Sequence, residues 1–453
     1  MGEGPPAAAF PVESPTAPAE APAGKIAGEP AQPWGPVQPE ERIALIDVLR
    51  GLALFGIIAA NMRGFAGPPA AYFRPSLLWQ TRTDFWVQAF VDTFIQGKFI
   101  TIFAFLFGVG FVLQFTRAEA RHARFGPTYR RRLEALILLG ALHQLLFWWG
   151  DILVTYGLGG FLLFLFRKRQ NKTILRWALG LMLVPIVAAS GYTLFRQVRP
   201  QTPQRQEETR KRSAEEKKKT QAGLQTTVQV YQTGNYVQIF RQRLGEVAQE
   251  AMGQHVAVAL TFPLFLLGLW VFRQGIFQNP EGNRARLQRG LVLGLLIGIP
   301  ANIASTWVQH LTGGQPPRGA PTPLMIVGFT LVLFGRPVLS MGYACAIALL
   351  FLNQTWRRRM TPFAAIGRTA LSNYLLQTIL CTTIFNGYGG GLFGRVHLAW
   401  LLVVSVGIYL LQVPLSEWWL ARYRFGPAEW LWRTMTYSKL PAMKREALAA
   451  VGS

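Results

Sequence analysis

From Ile43 onward the chain alternates long apolar runs with short polar breaks. The runs are close to the 20 residues a helix needs to cross the roughly 30 Å apolar core of a bilayer. About ten spans follow from this pattern, at 43–62, 98–116, 133–150, 152–166, 173–195, 255–274, 288–309, 323–352, 362–387 and 397–421. The stretch from Thr83 to Gln96 sets Phe85, Trp86, Phe90 and Phe94 against Asp84, Gln88 and Asp92, an amphipathic pattern suited to the membrane interface. The eighth run carries Arg336-Pro337 and is longer than one crossing requires, which predicts a tilted or kinked helix. The fold class expected is an all-α polytopic integral membrane protein.

Composition agrees with this reading. Of 453 residues 51% are hydrophobic and 15% charged, where a soluble domain carries about 25% charged. The formal charge of +24 would suggest nucleic acid, but the basic residues sit in short clusters between apolar runs, such as Arg130-Arg131-Arg132 and Arg357-Arg358-Arg359. Lys and Arg number six in 117–132, five in 167–176, four in 273–289, three in 357–359 and six in 422–445. The alternate loops hold three (63–82), none (150–151), one (Arg318) and one (Arg395). That asymmetry places the first set and both termini in the cytoplasm. Cys345 and Cys381 both fall inside apolar runs and read as small core residues.

The organisation expected is a Pro/Ala-rich disordered cytoplasmic tail (1–41), a first half-bundle (42–195), a charged extracytoplasmic loop (196–254), a second half-bundle (255–423) and a cytoplasmic tail (424–453). The start has no basic-then-apolar pattern of a signal peptide. Within the loop, RQEETRKRSAEEKKKT favours a solvated helix.

Ionisable residues inside membrane helices cost roughly 2.5 kcal/mol or more at the bilayer centre, so each one asks for a reason. In IDVLRGLALFGIIAAN, Asp47 and Arg50 share a helix face, and Asn61 returns to it about 16 Å further on. In GALHQLLFWWGDILVTYGLGG, His143 lies about two turns below a reversal at Gly150-Asp151. A carboxylate there could orient the imidazole as a general base, or simply cap the next helix. In AAIGRTALSNYLLQTIL, Arg368 precedes a stripe of Thr369, Asn373 and Gln377, either helix glue or the lining of a ligand path. Arg336 needs an anion or a wet cavity, with Glu417 as one candidate partner. NGYGGGLFG (386–394) reads as a tight re-entrant turn. No phosphate loop, HExxH or metal-spaced Cys/His cluster is present in the sequence, so no metal is expected.

These blocks, with IGRTALSNYLLQTILCTTIFNGYGGGLFG and FGPAEWLWRTMTY, resemble the YeiB-like family of bacterial membrane proteins, domain of unknown function 418, from residue 42 to about 437. More distantly the family resembles the transmembrane acyltransferases, which move an acyl group from cytoplasmic acyl-CoA to a hydroxyl or amine on the far side. In their polysaccharide-modifying branch, an arginine on the first helix precedes a catalytic histidine at the spacing that separates Arg50 from Asn61 here. The lysosomal branch has asparagine there and its histidine in the next loop. Loop 62–85 has no histidine in this chain, which leaves His143 as the base.

The reading that follows is acyl transfer. Acyl-CoA would be held by Asp47, Arg50, Arg336 and Arg368 and pass the Thr369–Asn373–Gln377 stripe; His143 and Asp151 would activate a small-molecule, glycan or lipid acceptor, with Asn61 on the oxyanion. The rivals are a permease for a small polar or anionic solute and a structural or signalling subunit. The bacterial cytoplasmic membrane, with its lipids as surroundings, is the expected location; a homodimer is compatible with all three readings, and nucleic acid with none.

Overall fold

The computed structural model describes residues 43–198, 203–313 and 321–445. The tail read at 1–41, Arg318 and the end of the C-terminal segment lie outside the described residues. Among those described there are no strands, only an isolated bridge between Tyr423 and Lys444. The helices are α1 (Ala44–Ala66), α2 (Pro69–Phe73), α3 (Arg82–Phe94), α4 (Lys98–Ala120), α5 (Phe125–Leu146), α6 (Leu153–Phe164), α7 (Asn171–Val198) and α8 (Pro203–Thr233). Then come α9 (Tyr236–Arg273), α10 (Arg284–Thr312), α11 (Pro323–Leu352), α12 (Gln354–Arg368), α13 (Ala370–Phe385), α14 (Leu398–Arg422) and α15 (Pro427–Tyr437). Seven of the described helical stretches, α3 and α4 taken as one, are long and apolar enough to cross a membrane; α6 and α13 are apolar but shorter. The protein is an all-α polytopic membrane protein.

Its axis is α1, mostly apolar and buried over nearly its whole length against α4, α12, α13 and α14. Where lipid gives helices no hydrophobic reason to associate, small residues that let backbones touch supply the packing. A β-carbon on Gly51 would lie 2.0 Å from the Phe363 carbonyl oxygen, and one on Gly367 1.8 Å from that of Asp47, so α1 and α12 meet backbone to backbone. Gly108 and Gly268 do the same for α4 and α9.

The amphipathic stretch and the second span are separate elements, as read from the sequence: Gly97, with a φ of +81°, breaks the chain between α3 and α4. Two other features of the sequence reading change. The ninth span begins later than expected, because the helix breaks at Thr369 and its basic portion forms the separate α12. The boundary drawn between 254 and 255 falls inside α9, an unbroken helix of 38 residues. Polar residues on its first half hide its continuity from a hydropathy reading. That half and α8 dock on the end of the bundle away from the arginine clusters. There Tyr231 stacks on Phe393 (4.6 Å between centroids), and Tyr231 and Gln232 hydrogen-bond the glycine-rich turn. Buried Arg243 donates to the carbonyls of Leu145 and Leu146, capping the C-terminus of α5.

Candidate active site

His143 stands on the last turn of α5, and Asp151 follows in the connection to α6. The loop reverses sharply enough to bring them together, pinned by Trp148 Nε1, which donates to the Gly64 carbonyl. Asp151 Oδ1 lies 2.9 Å from His143 Nδ1, while its Oδ2 accepts the Val154 amide at 3.0 Å. Asp151 therefore meets two groups at once: one oxygen takes an amide in the first turn of α6 and the other faces the imidazole. The side chains are 1% and 0% exposed. Gly140 makes the approach feasible, since a β-carbon there would sit 2.7 Å from Asp151 Oδ2.

Two residues of α13 complete the cluster, and neither was picked out from the sequence. Thr378 Oγ1 lies 3.0 Å from His143 Nε2, and the Tyr374 hydroxyl lies 3.4 Å from Asp151 Oδ1. The available signal was the pair of consecutive polar residues, Asn373-Tyr374 and Gln377-Thr378, four apart: two adjacent rows on one helix.

Tyr374 also faces a cavity, about 1180 Å³ with the solvent in its mouth included, that opens toward the arginine-rich end. Its depth is apolar, with Leu54, Ile57, Phe103, Phe107 and Leu136. Its mouth merges with a second cavity, and the two together are lined by Arg50, Arg117, Arg132, Arg368, Arg424 and Arg433 against only Asp47 and Glu429. Arg50 is 3.2 Å from Asp47. Arg132 lies 3.7 Å over the Trp432 ring, whose indole N–H donates to the Arg132 carbonyl. Gln114 Oε1 is a buried acceptor without a partner in this wall.

Glu429 sets the entrance to α13. Its carboxylate accepts from the amides of Leu371 (2.6 Å) and Ser372 (3.2 Å) and from the Ser372 hydroxyl, closing the first turn from a distant helix. Burial pushes this carboxyl above its ordinary range, and the Ser372 and Leu371 donors offset only part of that. Glu429→Ala, which leaves three donors without an acceptor, should lower stability by about 2 kcal/mol. Glu429→Gln keeps an acceptor and loses a charge that burial already disfavours, so its melting temperature should fall between those of Glu429→Ala and the parent. A glutamine variant melting below the alanine variant would contradict this account.

Other expected site residues fall elsewhere. Asn61 continues the face of Arg50, Leu54 and Ile57 one turn past the blind end of the cavity, and hydrogen-bonds neither His143 nor Asp151. The Thr369–Asn373–Gln377 stripe does not line the cavity. Asn373 Nδ2 donates to Thr369 and to Ser416 Oγ, Gln377 Nε2 donates to Gln412 Oε1, and Gln412 Nε2 returns to the Asn373 carbonyl. The expected ligand path is corrected to a seam between α13 and α14, because the amide N–H groups of the stripe are spent on partners within those two helices. Arg336 is corrected likewise. It packs on Gly97, and the carboxylate acting on it is Asp92, within a cluster that includes Lys98 and the Arg63–Asp92 pair at 2.9 Å. Glu417 is an exposed residue of α14. Sequence spacing along one helix could not reveal a partner carried by α3.

Comparison with known proteins agrees with this architecture. Residues 271–439 match the model of a family described as "Protein of unknown function (DUF418)", a range that holds Tyr374, Thr378 and Glu429. The chain is 34% identical over 428 residues to uncharacterized protein YxaH of Bacillus subtilis (strain 168), covering 89% of this chain and 96% of that one. It is 31% identical over 422 residues to uncharacterized protein YeiB of Escherichia coli (strain K12), covering 87% and 96%. An uncharacterized 39.9 kDa protein in the amylase 3' region of Bacillus acidopullulyticus is 29% identical over 424 residues, covering 91% and 99%. No solved structure matches at a significant level. With alignments that extend through α5 as well as α13, and so take in the residues on both sides of the His143 cluster, the chain belongs to the YeiB-like DUF418 family of multi-pass membrane proteins.

Proposed function

We propose that this protein is a membrane-embedded acyltransferase of the bacterial cytoplasmic membrane. It would move an acyl group from cytoplasmic acyl-CoA to a hydroxyl or amine on the far side, carried by a small molecule, glycan or lipid. One observation carries the reading: a buried imidazole–carboxylate pair lies just behind Tyr374, at the blind end of an apolar cavity whose mouth is rich in arginine. Guanidinium groups suit phosphates, and an apolar shaft suits an acyl-pantetheine arm, whose amide N–H the unpaired Gln114 oxygen can accept. His143, held by Asp151, is the base; Asn61, one turn beyond the shaft, is the donor nearest to a developing oxyanion along α1. Arg50, Arg132, Arg368 and Arg433 bind the donor, and Arg336 takes no part.

The test is transfer by purified protein in lipid nanodiscs supplied with labelled acetyl-CoA or palmitoyl-CoA and an extract of acceptor glycans and lipids. His143→Ala should lose at least about a hundredfold in rate. Wild-type transfer by that variant would remove His143 from the chemistry. The closure by Tyr374 also fits a carrier in an occluded state, and a proteoliposome flux assay separates the two. Only a carrier moves an unmodified solute without an acyl donor.

A further inference from the structure

His143 has one lone pair to offer as a base, and Thr378 holds it. Asp151 Oδ2 already takes the Val154 amide and Oδ1 faces Nδ1, so an accepting carboxylate there places the ring proton on Nδ1 and leaves Nε2 bare. The Thr378 hydroxyl, 3.0 Å from Nε2 and 3.3 Å from the Tyr374 carbonyl, is then the group that can turn its proton to Nε2. Carboxylate, imidazole and hydroxyl follow one another in the order of a base-activated nucleophile. The position of Thr378 is equally telling. Tyr374, Thr378 and Thr382 recur every four residues on one face of α13. Tyr374 lines the arginine-rich cavity, and Thr382 lines a small aromatic pocket at the opposite end, with Phe65, Trp148, Trp149 and Asn386. A spacing of four residues is a rise of about 6 Å, so Thr378, itself fully buried and lining neither, sits midway between the cavity and the small pocket.

We infer that Thr378 is the nucleophile, an acyl relay between the two ends of the bundle; this deepens the acyl-transfer reading and rests on it. In the first half-reaction Thr378 Oγ attacks the thioester carbonyl and its proton passes to His143 Nε2. The C–S bond breaks, the CoA thiolate takes that proton, and the acyl group is left as an ester on Thr378. In the second, the acceptor hydroxyl or amine attacks the ester and gives its proton to Nε2. Nε2 returns the proton to Thr378 Oγ as the C–O bond breaks. The net change is thioester plus acceptor to acylated acceptor plus free CoA thiol. Direct transfer would need Thr378 displaced from Nε2 and donor and acceptor in one space. The relay needs neither, because the substrates are used in turn from opposite sides.

The experiment incubates full-length protein in nanodiscs with labelled acetyl-CoA and, separately, palmitoyl-CoA, without acceptor, then quenches in acid and maps the modified peptide. The expected result is CoA release together with a hydroxylamine-labile ester on Thr378. Thr378→Val should lose the label and about a thousandfold or more of steady-state turnover, while Thr378→Ser should keep both. Melting temperatures of the two variants separate lost chemistry from lost fold, and mapping of the wild-type ester decides the matter if the valine variant fails to fold. Turnover by Thr378→Val near the wild-type rate, or an ester on another residue, overturns the relay and leaves acyl transfer standing. No CoA release in the absence of acceptor overturns the relay and leaves acyl transfer standing, whereas no transfer from either donor once the glycan and lipid extract is added overturns both.

Discussion

Asp151→Asn should lower acyl transfer by roughly 10³–10⁴-fold while leaving the bundle folded. The carboxylate serves two donors, the Val154 amide through Oδ2 and the imidazole through Oδ1. Asparagine has one acceptor and one donor to put in those two places. The Val154 amide must meet the carbonyl oxygen, since two N–H groups cannot face each other in a buried site. The side-chain NH₂ then faces His143 Nδ1, forces that nitrogen to become an acceptor and moves the ring proton to Nε2. The α6 cap survives, and the base does not. A purely capping role for Asp151 predicts the reverse: unchanged turnover with asparagine, because the cap is intact, and loss only with alanine. Transfer rates and melting temperatures of the two variants decide. Full activity in Asp151→Asn would show that the imidazole does not depend on the carboxylate for its tautomer.

The residues in that prediction were legible in the sequence for a simple reason. His143 and Asp151 are eight positions apart across a single reversal, so local geometry nearly determines their meeting, and both are costly in a membrane unless used. Thr378 and Tyr374 were not legible. Periodicity finds polar rows on a helix but does not say what faces each row. The row of Thr369, Asn373 and Gln377 was the more polar of two neighbours and drew attention, yet it faces Ser416 and Gln412 on α14. The adjacent row of Tyr374 and Thr378 faces the imidazole. Partner choice between distant helices is tertiary information, which is also why Arg336 meets the field of Asp92 instead of Glu417. The basic clusters read as an orientation signal have a second role that only coordinates could add, because Arg132 and Arg433 line the same cavity as Arg50 and Arg368.

That cavity depends on two glycines, and Gly367→Ala should be among the most damaging single-methyl changes in the protein. The added carbon would lie 1.8 Å from the Asp47 carbonyl oxygen, 2.7 Å from its carbon and 3.0 Å from the Gly51 amide nitrogen. All three are backbone atoms on the buried axis of the bundle, so no side chain can swing aside. The helices must separate, and overpacking of this kind costs about 1–3 kcal/mol even where relaxation is easier. Gly180 supplies the control, since it is also helical and a β-carbon there meets nothing within 4 Å. Gly180→Ala should leave the melting temperature unchanged or raise it, as alanine is the better helix former by about 1 kcal/mol. The cost at Gly367 extends to binding. Gly367 itself lines both arginine-rich cavities between Arg50 and Arg368, so backing α12 away from α1 pulls the two guanidinium groups apart. Gly367→Ala should therefore weaken binding of CoA, measured by calorimetry on the protein in nanodiscs, in parallel with its lower melting temperature. Tight CoA binding in a protein destabilised at this contact would mean that the arginine mouth is held by something other than the α1–α12 backbone seam.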